Sequence, residues 1–147
     1  MKQKLVLANV TVGIALVCSQ LVATPAAAMS ELRWTYRPVL IFAPTVSDAR
    51  VGQQMNALAT ERAGLTARDI VVMTIVSGSV SAQGGPRSKL SAASLRARFG
   101  VGPSEFRVIL VGKDGGTKLS SGAPVTVQRL FATIDAMPMR RLEMRNK

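Results

Sequence analysis

"RPVLIFAPTVSDAR", residues 37–50, is the stretch whose reading decides the fold. Val39 to Phe42 is an unbroken apolar run, the pattern of a strand covered on both faces. Pro44 ends it. Thr45 or Ser47 then offers a side-chain oxygen to cap a helix, and Asp48 suits the positive end of the helix dipole. A buried strand running into a helix start is the opening half of a β-α-β unit.

The flanking sequence extends this pattern. Val51, Met55 and Leu58 recur at helical spacing, and Gly64 fits a C-terminal cap. "DIVVMTIV", 69–76, is a second buried-type strand, which a helical connection makes parallel to the first. "SGSVSAQGGPRSK", 77–89, reads by its Gly, Ser and Pro content as one long loop. Leu90, Ser91 and Leu95 form a hydrophobic staple around an N-cap, with Phe99 one turn further on and Gly100 closing the helix. "FRVILVG", 106–112, is the third strand; "KDGG" supplies a turn and "TKLS" a short fourth strand. After Pro124, the positions Val127, Leu130, Phe131 and Ile134 trace one apolar stripe, and Pro138 stops that helix. The expected order is β-α-β-α-β-β-α: a single α/β domain of about four strands flanked by three helices, as in the thioredoxin-like fold. Residues 29–38 form a lead-in, and 138–147 a basic, exposed tail.

The first 28 residues read as a secretory signal. Lys2 and Lys4 precede the uncharged apolar stretch Leu5 to Val17, and "ATPAAAM" places small residues Ala26 and Ala28 before a cut at Ala28–Met29. The alternative, a retained anchor, needs about 20 apolar residues, and this run is shorter. Cys18 does not fit a lipoprotein acylation site, because Val17 before it is not small. The expected location is outside the cytoplasm, periplasmic or secreted, with no transmembrane span after cleavage.

Cleavage would also remove the single cysteine of a chain that has no histidine. Residues 29–147 could then form no disulfide, thiol nucleophile, Cys/His zinc site or Ser–His–Asp triad. No cofactor and no metal are expected, and no catalytic residue is nominated. The charge balance is strongly basic, 19 Lys and Arg against 8 Asp and Glu, net +11. Such a balance suits nucleic acid, anionic lipid or an acidic polymer. The charges are dispersed and aromatics make up only 4%, so no stacking platform for nucleic acid emerges, and none is expected as a partner.

Three stretches are candidate binding residues. Thr45 and Ser47 open the first helix at the carboxyl end of a strand, where N–H groups favour an anion; ordinary capping accounts for the same residues. Arg33, Trp34 and Arg37, with Tyr36, could form a binding face, or one aromatic edge could pack on the sheet while the arginines stay in water. Arg140 and Arg141 alternate with Met139 and Leu142, as in a short amphipathic helix meeting a partner or an anionic membrane, or as in a frayed solvated end. Asp114 in "KDGG" reads as a turn residue rather than a metal ligand, having no second acidic group near it in sequence.

"RPVLIFAP", "LRARFGVGPSEFRVILVGKDGGTKL" and "LFATIDAMPMRR" together resemble the bacterial family called domain of unknown function 4174, over roughly residues 30–145. The resemblance implies a thioredoxin-like fold, related to a domain in secreted sushi-repeat and matrix proteins of animals, with no activity established. Laid against thioredoxin, "FAPTVSDA" puts Val46 and Ala49 where the two redox cysteines would stand. Against peroxiredoxin, Thr45 would set Asp48 at the cysteine. The proline expected just before the third strand is displaced to Pro103. With no thiol or imidazole in the exported chain, the expected function is a non-catalytic interaction module of the bacterial envelope, holding an envelope protein or an anionic surface. Two alternatives stand beside it: an enzyme of the same superfamily with non-thiol chemistry, and an electrostatic binder of anionic lipid or polymer.

Overall fold

The apolar run quoted above becomes β1, Arg37–Ala43, buried at every position. It lies at the centre of a five-stranded sheet. A computed structural model describes residues 27–86 and 90–146. Residues 1–26, with Cys18 and Ala26, and the loop residues 87–89 lie outside the described residues.

After a 3-10 helix, Ala27–Leu32, the order is β1, α1 (Ala49–Ala59), α2 (Arg62–Thr66), β2 (Ile70–Val76), β3 (Ser79–Gln83), α3 (Ala92–Phe99), β4 (Arg107–Val111), β5 (Thr117–Ser121), α4 (Val127–Asp135) and α5 (Pro138–Arg145). The strands lie in the order β3-β2-β1-β4-β5. β1 runs parallel to β2 and antiparallel to β4, and β4 pairs antiparallel with β5. This is a mixed α/β domain consistent with a thioredoxin-like arrangement, with five strands where four were expected.

The extra strand is β3, inside the segment read as a loop. Its composition is polar, yet Val80 and Ala82 pack against the core while Ser79 and Ser81 stay wet, the alternation of a half-covered strand. Ser77 and Gly78 both take positive φ, 46° and 81°, and join β2 to β3 with a two-residue turn. Five residues supply too short an alternation to stand out among serines and glycines.

Even a proline fits within central β1. The Arg37 N–H bonds to the Asp69 carbonyl on the β2 side, so the Pro38 nitrogen points the other way, where the ladder to β4 begins only at Val39. Successive β1 residues then alternate between two cores. Val39, Ile41 and Ala43 face α1 and α4, meeting Leu58, Val127, Leu130 and Ile134. Leu40 and Phe42 face α3, meeting Leu95, Val101, Met29 and Leu32. Full burial of one such Leu is worth about 1.5–3 kcal/mol, so the two layers carry most of the favourable term.

Several termini follow their sequence signals. Ser91 caps α3, and Gly100 ends it in the left-handed region at φ 63°. Other signals resolve differently. Asp48, rather than Thr45 or Ser47, caps α1. Gly64 lies inside α2, where a Cβ would come within 2.6 Å of the Phe131 ring, so close packing rather than capping requires it. α4 stops at Asp135 before Pro138, and Pro138 opens α5 at its first turn, where its missing N–H costs nothing. The tail is therefore a helix with Arg140 buried, while most of its other residues stay exposed as expected. No helix among the described residues is long and apolar enough to cross a membrane.

Candidate functional site

The carboxyl ends of β1 and β2 place Pro44 to Ser47 at one end of the sheet. Val46 stands 82% exposed, while the Thr45 and Ser47 hydroxyls lie 3.1 Å apart and bond to one another. The helix start behind them already holds an anion of its own. Asp48 accepts from the Arg50 N–H at 3.0 Å and from the Arg50 guanidinium at 2.9 and 2.6 Å. Those Arg50 hydrogen bonds hold the Asp48 carboxyl below its ordinary range. Arg50 in turn lies over Phe106, 4.6 Å from the ring centroid.

Beneath this rim, Arg96 ties the loops together. Its guanidinium donates to the Gly102 carbonyl at 2.6 Å and to the Ala43 carbonyl at 2.8 Å, and it lies 5.5 Å from the centre of the Phe42 ring. The loop before β4 is closed by Glu105, which accepts from the Gly102 N–H at 2.6 Å and from Arg107 at 3.3 Å. The backbone bond from Gly102 keeps the Glu105 carboxyl below its ordinary value, with Arg107 and Arg96 adding to the effect. The result is a fixed rim presenting two hydroxyls and one aliphatic side chain, with arginine behind it.

The second group of candidates lies at the opposite end of the sheet and does not stay together. Arg37 is only 1% exposed, in contrast to the solvated arginine expected. It donates to the Arg68 carbonyl at 3.0 Å and to Glu143 of α5 at 2.9 Å. Lys113 completes the cluster, bonding Asp69 at 2.8 Å and Glu143 at 2.9 Å. Burial would raise the Glu143 carboxyl, but the bonds and charges of Arg37 and Lys113 outweigh it and bring it from 4.5 to about 2. Arg140 points into the same cluster, 3.4 Å from both Asp135 and Glu143. Arg141 is exposed on the far side of α5.

Trp34 also departs from the extended segment drawn from the sequence. Its φ is 67°, its N–H bonds to the Lys113 carbonyl at 2.7 Å, and its ring is left exposed beside Arg33. Tyr36 alone of the two aromatics packs against the core. Ala28 belongs to the 3-10 helix, and Met29 is buried in the α3-side core.

Sequence reasoning did not single out a groove of about 390 Å³ between α1, α2 and the start of β2, lined by Tyr36, Met55, Arg62, Leu65, Asp69 and Gln83. These residues come from five segments, so no local pattern announces them. Among the described residues no group of three or more His, Cys, Asp or Glu side chains gathers to hold a metal.

The fold is a small mixed α/β domain with an exposed rim at Val46. A family model described as "Domain of unknown function (DUF4174)" matches residues 28–143, and the chain belongs to that family. Coiled-coil domain-containing protein 80 of Danio rerio is similar at 29% identity over 133 residues, covering 79% of this chain and 15% of that protein. Sushi repeat-containing protein SRPX of Rattus norvegicus is 29% identical over 140 residues, covering 92% of this chain and 28% of that protein. The chain thus spans well under a third of either relative. No solved structure matches.

Proposed function

We propose that this chain is a non-catalytic, thioredoxin-like interaction module of the bacterial envelope, exported by a cleaved leader ending at Ala28. It holds a partner at the rim formed by Thr45, Val46 and Ser47. The observation that carries the reading is the exposure of Val46 on a strand end that Arg96 locks from beneath. A rigid, presented loop costs little ordering entropy on binding, which favours recognition. Its side chains at Val46 and Ala49 can form no thiolate, so the same position offers no sulfur chemistry.

Envelope cross-linking with the purified protein tests this. Changing Thr45 and Ser47 together to Ala, with Val46→Asp, should abolish capture of a specific partner. Capture that survives the triple change places the site elsewhere. Reduction of insulin disulfides, or consumption of peroxide, would sink the non-catalytic reading.

A further inference from the structure

Among the described residues five large apolar side chains stand exposed, and four of them, Trp34, Met139, Leu142 and Met144, belong to one end of the molecule. Lys113 joins them: its carbonyl accepts from the Trp34 N–H at 2.7 Å and its ammonium donates to Glu143 of α5 at 2.9 Å.

α5 sorts its charges by face. Arg140 and Glu143 turn inward, and Glu143 is neutralised there by Arg37 and Lys113. Arg141 and Arg145 remain exposed beside Leu142, and with Pro138 and Met144 they line a shallow outer surface. Glu143 is the only carboxylate in α5, so the outward face carries positive charge without an acidic residue of its own.

Trp34 is an independent observation. A bulky residue at φ 67° is sterically strained, and such strain persists only where surrounding contacts enforce it. Here the enforced conformation leaves the indole 62% exposed, with the Arg33 guanidinium 5.3 Å from the ring centre. Burying an indole would ordinarily be favourable, so this geometry forgoes stability to present the ring.

Guanidinium groups beside an indole and long aliphatic side chains match the boundary between phosphate headgroups and hydrocarbon. Arg binds phosphate oxygens in pairs, Trp settles at headgroup depth, and Leu and Met enter the acyl boundary. We propose that Arg33, Trp34 and the outward face of α5 dock this domain peripherally on an anionic phospholipid surface. The site is distinct from the helix-1 rim, so it goes beyond the interaction-module reading and fails or survives separately from it.

The single tryptophan makes Trp34 its own reporter. Mixing the purified protein with phosphatidylglycerol–phosphatidylcholine vesicles should shift its emission to the blue and shield it from iodide, whereas pure phosphatidylcholine should do neither. Arg141→Gln with Arg145→Gln should weaken vesicle partitioning about thirtyfold, as each basic residue near such a surface is worth about 1 kcal/mol. Leu142→Ser with Met144→Ser should also weaken it while leaving thermal unfolding unchanged, because neither side chain is in the core. An unshifted Trp34 spectrum on anionic vesicles overturns the proposal. So does binding matched by soluble polyphosphate and unaffected by the Leu142 and Met144 changes, which is charge attraction to an anionic polymer alone. Rim variants at Thr45 and Ser47 should bind vesicles normally, which keeps the two sites distinguishable.

Discussion

The guanidinium of Arg37, the first residue of β1, donates to the Glu143 carboxylate of α5 at 2.9 Å, across 106 positions of sequence. This contact turns a basic tail into a structural element. Arg37 is buried, so its charge needs a partner, and the last helix brings one.

Removing that partner should be costly. Glu143→Gln is expected to lower the unfolding free energy by about 2 kcal/mol, below the ~3–5 of a fully buried pair because Glu143 is partly wet. Urea unfolding measures this. Arg37→Met combined with Glu143→Gln should cost less than the two single changes added, since neither charge is then stranded.

Acid should act on the same contact. The folded Glu143 carboxyl titrates at about 2 against an ordinary 4.5, so the unfolded chain takes up its proton first as pH falls. Its contribution is fully present above about 4.5 and is lost on the way down to 2. Melting temperatures followed by circular dichroism across that window should fall more steeply for the native chain than for Glu143→Gln. Equal slopes would exclude Glu143 as a source of the acid sensitivity.

Gln54 is completely buried, with its amide donating to the Val125 carbonyl at 3.0 Å and accepting from the Val125 N–H at 2.7 Å. It clasps α1 to the segment before α4. Gln54→Leu should destabilise by about 2–4 kcal/mol despite being more hydrophobic, because two buried backbone groups lose their partners. A neutral or stabilising result would mean that Val125 finds water instead.

Gly64→Ala offers a test in which two effects oppose. Helix propensity alone predicts a gain of about 1 kcal/mol inside α2. The added carbon would sit 2.6 Å from Phe131, whose ring also stacks under Arg68 at 4.0 Å. Overpacking should win, for a net loss of about 1–2 kcal/mol by thermal unfolding. Arg68, which also bonds Asp135 at 2.6 Å, should become more mobile in relaxation measurements.

Arg96→Lys keeps the charge but cannot reach two carbonyls with one planar fork. Amide exchange at Asp48 and Val101 should quicken by about tenfold, equivalent to a local loss of about 1.4 kcal/mol, with little change in the sheet. Unchanged exchange at both positions would show that Arg96 does not hold the rim.

Four of the five strands, three of the helices and the faces they bury were legible in the residues because those signals are local. The unbroken apolar run from Val39 to Phe42, the Ser91 cap with Leu90 and Leu95, and the stripe of Val127, Leu130 and Ile134 are each local signals. β3 escaped because a five-residue stretch with only Val80 and Ala82 apolar makes a strand only when β2 supplies the ladder. Gln54 was visible as a polar residue beside Met55 on an otherwise apolar stripe, a signal that goes unread without its distant backbone partner.

The amino-acid sequence by itself determined a two-faced sheet with helical cover and a chain rich in positive charge. It could not say which arginines face water. Arg37 and Arg140 are inside while Arg141 and Arg145 are outside, though all four share one chemistry and three are near neighbours in the chain. Hydrophobic periodicity is written within ten residues, but the burial of a charge depends on where its counter-charge ends up. Only the folding of α5 back onto the beginning of β1 decided that.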